Sequence, residues 1–493
     1  MNPNHTLRYL NIGLPENILR LKLGGHLADA VRLIDRQLEN TSIPETLRCC
    51  LIAQREICLR LPSDYPYTKS EALKLVQAHI PDFSEKEFDE REDAGKIGWI
   101  FLNNEKRYFG RFFETMMKTD DSIVSRIVNY LPGEEVPDAN ASHPTLLDDS
   151  MAYMKKHGEI SNRIRICASL KVNDDVFSPE MFIRAHLPIP ADCSQQSDIV
   201  IEKIEPAGAV LAQPDAPQRT VCWEKTMTEN HSFTVEYSYT HTARYRDAYH
   251  LSARELAAGC TDAPLTEEER KLYTQEETPH ITFTPYIRAL VDSLTAGLED
   301  PLDKARAFYD FITKNMTYTF MPEYFVLENI SESCARNYTG DCGVFALLFI
   351  TLCRCAGIPA CWQSGLCAKP DFCGCHDWAR FYIDGAGWFY ADPSFGVGSN
   401  RIGNEERRRF YFGNLDAYRM VANRAFQADF TPAKDYWRAD PYDNQRGEME
   451  TDTQGLLYSE YERTSEIVDF TSYCSHGTIP RGILARYCER SEQ

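Results

Sequence analysis

Cys342, His376 and Asp392 are of the types, and in the order, that nucleophilic acyl chemistry uses. The cysteine stands in Asn337-Tyr-Thr-Gly-Asp-Cys-Gly-Val-Phe-Ala-Leu-Leu-Phe-Ile-Thr-Leu-Cys-Arg-Cys-Ala-Gly-Ile-Pro359. The histidine opens His376-Asp-Trp-Ala-Arg-Phe-Tyr, and the aspartate ends Trp388-Phe-Tyr-Ala-Asp392. A thiolate attacks a carbonyl, an imidazole takes and returns the proton, and a carboxylate fixes the imidazole tautomer. That chemistry needs the thiol made acidic, the imidazole brought to it and the carboxylate placed behind.

The elements that must position them are legible nearby. Gly340 and Asp341 break the chain and supply a cap, and the residues from Cys342 to Ala356 are almost all apolar. This predicts a helix buried on most sides, closed by Gly357 at the position after the helix and by Pro359. Cys342 then falls in the first turn, where free N–H groups and the helix dipole favour a thiolate and can bind an oxyanion. Gly343 leaves room beside the sulfur. A plain buried thiol is the simpler reading of most cysteines, and Cys353, Cys355 and Cys361 fit it. The Gly-Asp-Cys-Gly start sets Cys342 apart. Downstream, Phe381-Tyr-Ile-Asp and Gly387-Trp-Phe-Tyr-Ala read as a hairpin turning at Asp384 to Gly387. His376 enters the first strand and Asp392 leaves the second, so the two are neighbours across the ladder. Asp377 adjoins His376, but adjacent strand residues point to opposite faces, which makes it the weaker orienter.

These residues resemble the transglutaminase-like superfamily, whose papain-like fold carries Cys, His and Asp in that order. The likeness runs through Thr339-Gly-Asp-Cys-Gly, Cys353-Arg-Cys-Ala-Gly-Ile-Pro-Ala360, His376-Asp-Trp and Asp392-Pro, and spans residues 270 to 430. It implies Cys342 as nucleophile, His376 as base and Asp392 as orienter. No acidic calcium-loop signature of the animal enzymes is present, so the match is to the broader bacterial-type set of peptidases, amidases and related proteins. For the second oxyanion donor the candidates are Gln363, Trp362 and Tyr318, with Gln363 on the strand that faces the catalytic helix in this fold class.

Composition limits the other classes. A formal charge of −20 over 493 residues argues against nonspecific binding to nucleic acid or anionic membrane. The longest apolar run, Val344 to Ile350, is too short to span a bilayer. Met1-Asn-Pro-Asn-His-Thr-Leu-Arg has no signal-peptide pattern, and the 17 scattered cysteines read as reduced thiols, so the expected compartment is the cytoplasm. No cofactor is implied.

The predicted fold class is α+β, a papain-like, transglutaminase-like core preceded by an antiparallel β domain and a mainly helical N-terminal domain. Residues 1–125 read as helices with one hairpin turning at Asn103-Asn104, a winged-helix-like order. The acidic stretch Ser84 to Asp93 repels phosphate, so this module reads as an interaction or packing unit that could hold a partner protein, not a DNA reader. Residues 126–158 read as a Pro-rich linker, and 159–250 as an antiparallel sandwich with partial period-two alternation. The core takes 265–430, including a helix pair at 285 to 315. The charged run from Arg401 to Arg409 reads as a solvated helix face. Residues 431–493 read as an extension wrapped on the core.

Cys367, Cys373 and Cys375 precede His376 and read most plainly as a mobile loop over the site bounded by Pro370 and Gly374. Their density also raises a zinc reading, though the spacing is irregular and no metal is assigned. A reversible Cys375–Cys342 disulfide is a third alternative. The functional expectation is cysteine-dependent acyl transfer on a peptide or protein amide, side-chain or backbone, through a thioester. Water as acceptor makes it a peptidase or amidase, and an amine makes it a transglutaminase. The alternatives are a catalytically silent binding scaffold and a thiol- or zinc-responsive regulatory protein.

Overall fold

The computed structural model describes residues 2–128 and 145–472, and the backbone of Tyr473, Cys474, Gly477 and Thr478. Helices Glu16–Leu23, Leu27–Leu38 and Glu45–Asp64 open the chain and bury Ile18, Leu27, Ala30, Ile34 and Leu51 in one cluster. A second cluster, including Val76, Phe88, Tyr108 and Phe112, joins helices Lys69–His79, Glu85–Asp93 and Phe112–Thr119 to the hairpin Trp99–Leu102/Glu105–Tyr108. Asn103 and Asn104 turn that hairpin at φ 51° and 68°, a region Asn tolerates. Thr68 and Ser84 start their helices with reciprocal caps to Glu71 and Glu87.

Most of the expected linker, residues 129–144, lies outside the described residues. Its end is not a linker: Leu146–His157 is a helix. Thr145 and Asp148 form a capping box, Lys155, Lys156 and His157 close the last turn, and Met151 and Met154 are buried. The Pro-rich composition upstream hides these helix signals.

Two antiparallel sheets follow. One orders Gly477–Thr478, Tyr461–Cys474, Glu159–Val172, Phe233–Arg244 and Gln196–Glu205; the other orders Glu448–Glu450, Met181–Pro188, Thr220–Met227 and Val210–Leu211. Along Glu159–Val172 every second residue is buried, which fixes its register. Ile166, Leu170, Ile183, Trp223, Val235 and Tyr237 share one cluster between the sheets, each contributing about 2 kcal/mol relative to exposure. Both sheets include strands from beyond residue 431, so the C-terminal segment crosses the core and then completes the β region. Its outward residues Glu462, Thr464 and Glu466 break the apolar pattern that would have marked a long strand.

A five-stranded sheet holds the site. Its order is Phe412–Gly413, Gly387–Ala391, Phe372–Ile383, Ala360–Lys369 and Arg419–Asn423, all antiparallel. The central helix Cys342–Cys355 packs on it and is buried from Gly343 through Arg354, as a helix apolar on all sides must be. Phe349 meets Phe381 edge-on at 5.5 Å, and Phe381 stacks on Phe389 and Phe412. Gly357, at φ 78°, follows the helix where an L side chain would be strained. Helices Pro285–Leu294, Pro301–Asn315, Ile330–Asn337 and Pro393–Arg401 flank it.

Two sequence readings are corrected here. The segment with Cys367, Cys373 and Cys375 is not a loop: the two strands run on to Lys369 and Phe372, and Leu366 and Ala368 are buried against the β region. The Arg401 to Arg409 run is not wholly solvated, because Arg408 is fully buried, bonding Asp310 at 2.6 Å and Glu405.

Candidate active site

Asp341 caps the central helix, its Oδ1 accepting the Val344 N–H at 3.1 Å and the Tyr324 hydroxyl. Cys342 is the first helical residue, with its side chain half-buried. Gly343 beside it has no room for a side chain, since a Cβ would collide with the Tyr324 hydroxyl. The thiol therefore sits at a helix N-terminus, as its sequence predicts.

Its immediate partner is not the histidine. The Cys342 Sγ–H donates to Asp377 Oδ2 at 3.1 Å, and among the described residues no hydrogen bond joins Cys342 to His376. The reason is strand alternation. Asp377, Ala379 and Phe381 share the face that covers the central helix, while His376 and Trp378 share the other. The neighbours do point to opposite faces, but Asp377 is the one that meets the thiol. Burial pushes the Cys342 thiol well above its ordinary value, and the negative fields of Asp377 and Asp341 add to it against Lys118. A helix dipole supplies about 1 kcal/mol, less than one pKa unit, so it cannot outweigh burial and two carboxyls.

His376 and Asp392 are brought together. His376 Nε2 lies 2.7 Å from Asp392 Oδ2, and the imidazole ring leans on Phe395 at 4.8 Å. Asp392 is fully buried, its Oδ1 capping the following helix through the Phe395 N–H at 2.9 Å. Arg419 approaches Asp392 Oδ2 at 2.9 Å and also pairs with Asp416. Burial alone would raise the Asp392 carboxyl, yet His376 and Arg419 hold it below the usual range. Burial lowers His376, against the pull of Asp392.

The segment after residue 439 reaches this site. Gln445 Nε2 donates to the His376 carbonyl at 2.9 Å and to Asp377 Oδ1. Asp443, buried beside Asp377, accepts the Ser364 hydroxyl and the Trp362 indole N–H, the latter at 3.4 Å. Burial and then Asp443 push Asp377 far up, and burial raises Asp443, so the pair is set to share one proton.

Of the oxyanion candidates, Tyr318 lies near the thiol: it pairs with Gly340 across a short parallel ladder, and its phenol is raised by burial and by Cys342. Trp362 is separated from the thiol by Asp443 and Asp377, and packs on Phe426. Gln363 is not brought to the thiol. It is fully buried, and its Oε1 accepts Gln195 Nε2 at 2.7 Å and the Trp378 indole at 2.9 Å. Cys375 Sγ meets Arg463 at 3.2 Å, and Cys342 and Cys375 are both free thiols. Among the described residues no three His, Cys, Asp or Glu side chains are grouped to hold a metal.

Sequence reasoning did not single out Tyr324, Arg419, Asp443 or Gln445. Arg419 carried a signal, a lone charge opening the apolar run Met420-Val-Ala422. Asp443 and Gln445 lie in an aperiodic polar stretch that carries none.

Residues 288–393 match the family model of the transglutaminase-like superfamily, an interval that holds Cys342, His376 and Asp392. The chain thus carries a transglutaminase-like domain. Among solved structures, a candidate cysteine protease from Cytophaga hutchinsonii is 14% identical, with a TM-score of 0.38, covering 64% of this chain and 90% of that one. The periplasmic domain of TgpA from Pseudomonas aeruginosa is 14% identical, with a TM-score of 0.27, covering 52% and 93%. Both overlaps are loose, and neither bears on this chain's chemistry. No curated protein sequence gives a match. Among the described residues no helix is long and apolar enough to cross a membrane.

Proposed function

We propose that this protein is a cysteine-dependent acyltransferase acting on amide bonds, with Cys342 as nucleophile, His376 as base and Asp392 as orienter. The observation that supports it most is the buried His376–Asp392 pair, carried on adjacent strands of the sheet that the Cys342 helix packs against. In this structure His376 lies on the sheet face away from the thiol, so this reading requires a rearrangement that turns it toward Cys342; with Nε2 committed to Asp392, the proton would then pass to Nδ1.

In the reaction, the Cys342 S–H proton passes to His376 Nδ1 as sulfur attacks the amide carbon. The tetrahedral oxyanion collapses, the C–N bond breaks, and the imidazolium returns the proton to the leaving amine. The thioester then yields to water or to a second amine, with His376 again taking the incoming proton. Backbone N–H groups at the helix start and the Tyr318 hydroxyl are the proposed oxyanion donors. The substrate is a peptide or protein amide, and a role for the N-terminal helical module in holding a partner is part of this reading. The setting that goes with this reading is the cytoplasm.

The test is incubation with glutamine-containing peptide libraries, with and without a primary amine, read by mass spectrometry. Release of ammonia or a cleaved peptide marks hydrolysis, and an amine adduct marks transamidation. No product under either condition, with Cys342 present and the fold intact, would favour a silent scaffold.

A further inference from the structure

We propose that Asp377 is a positioning residue that holds the Cys342 thiol protonated in a resting state, and that Asp443 and Gln445 of the C-terminal segment hold Asp377 there. This rests on the reading of Cys342 as the nucleophile and adds a control to it.

The geometry is a relay anchored on both sides. One carboxyl, Asp377, accepts the thiol on Oδ2 and the Gln445 carboxamide on Oδ1. The same carboxamide donates to the His376 carbonyl, so it ties the strand at the residue pair where the thiol's two potential partners diverge. The segment that delivers Gln445 is itself fixed. Arg446 pairs with Glu323 at 3.1 Å, the Asn444 carbonyl accepts Asn423 Nδ2 at 2.8 Å, and the Asp443 carbonyl accepts Arg438 at 2.8 Å. Glu323 immediately precedes Tyr324, whose hydroxyl caps on Asp341 beside the thiol. Both ends of the clamp therefore meet at the start of the central helix.

The carboxyl groups around it act in one direction, and Lys118 opposes them. Asp341, Tyr324 and Tyr318 face the thiol from the helix start and its neighbours, Lys118 from the N-terminal helix Phe112–Thr119, and Asp377 from the sheet. Asp443 faces Asp377, and Asp440 stands behind Asp443. A buried carboxyl pair with one proton keeps a net negative charge next to sulfur, which disfavours a thiolate. A bond to Asp377 also occupies the S–H that must be given up before sulfur can attack. Loss of the Gln445 contact frees Asp377 to rotate and releases the thiol.

Iodoacetamide alkylation of the full-length protein reads the thiol directly and needs no substrate. Rates at Cys342 are followed by peptide mapping from pH 6 to 9, with buried Cys334 and Cys353 as internal controls for loosening of the fold. Asp377→Ala is expected to alkylate at Cys342 at least about tenfold faster than wild type at pH 7.5, with its rate profile displaced to lower pH across the range. Asp377→Asn, which keeps an acceptor but not the charge, is expected between the two. Gln445→Ala, at a partly exposed position, is expected to gain about threefold. The controls stay unreactive in all of them. Equal Cys342 rates in wild type, Asp377→Ala and Gln445→Ala at every pH would overturn the proposal, as would gains matched by Cys334 and Cys353. Because alkylation does not require turnover, these outcomes are independent of whether acyl transfer itself is found.

Discussion

Arg419 is the cation on which the buried half of the site depends, and its replacement by methionine has a calculable effect. The side chain is fully buried, contacts Asp392 at 2.9 Å and Asp416, and lies 4.6 Å over the Phe395 ring. Methionine fills much of the volume but leaves two buried carboxylates without their cation. Asp392 keeps His376 and the Phe395 N–H, and Asp416 keeps the Tyr411 hydroxyl and the Tyr418 N–H, both at 3.0 Å. Removing one partner of a buried pair costs about 3–5 kcal/mol. A loss of about 4 kcal/mol at a urea slope of about 3 kcal/mol/M lowers the midpoint by about 1.3 M. Trp378, 5.3 Å from the guanidinium, gives a local emission signal for the titration. The pH dependence has a definite sign. Asp392 and Asp416 are held below their ordinary values in the folded wild type, burial being overcome by the cation and the hydrogen bonds they accept. Their contribution is thus fully present above about pH 4 and lost as pH falls through the folded values. In Arg419→Met the same carboxyls rise above about 3.9, so acid favours the folded variant, and the gap to wild type narrows between pH 7 and 4. A gap under about 1 kcal/mol at pH 7, or one that does not change with pH, would refute this account of the pair.

Other outcomes follow from the same geometry. Asp392→Asn keeps the helix cap, since Asn caps as Asp does, but takes one of two carboxylates from buried Arg419, so it is expected to lower the melting midpoint and also to lower the rate by about 10⁴ through the wrong His376 tautomer; a thermal melt and steady-state rates check the two effects. Burial lowers His376 from its usual 6.5, so its neutral, proton-accepting form dominates above a midpoint below that value. Activity should rise with pH through that midpoint, and a rising limb centred above about pH 7 would place the controlling proton elsewhere.

How far the sequence reveals the site depends on what marks each residue. The central helix announces itself by an unbroken apolar run between a cap and a glycine, and Cys342 inherits its place at the first turn from that pattern. His376 and Asp392 meet because aromatic strands around Asp384 to Gly387 can only fold back on each other. Asp377 was visible and its opposite facing foreseen, but which face turns to the helix depends on register. Phe349 against Phe381 fixes that register, a contact between residues 32 apart. Arg408 reads as solvated in a run of arginines because nothing local announces Asp310, Glu405 and Tyr249 around it. The strands that the C-terminal segment gives to both sheets are hidden for a related reason. Their partners, such as Val172 for Tyr461 and Arg184 for Glu450, lie hundreds of residues earlier.

The central claim is that an acyl group passes through sulfur at Cys342, and trapping it is the most direct test. Wild-type protein is incubated with the peptide library, quenched in acid within seconds, and mapped by mass spectrometry for thioester adducts. An acyl adduct confined to Cys342 is predicted, discharged by hydroxylamine, lost in Cys342→Ala and strongly reduced in His376→Ala. Product formation that persists in Cys342→Ala, or turnover by wild type with the acyl group found on another residue, would contradict the account.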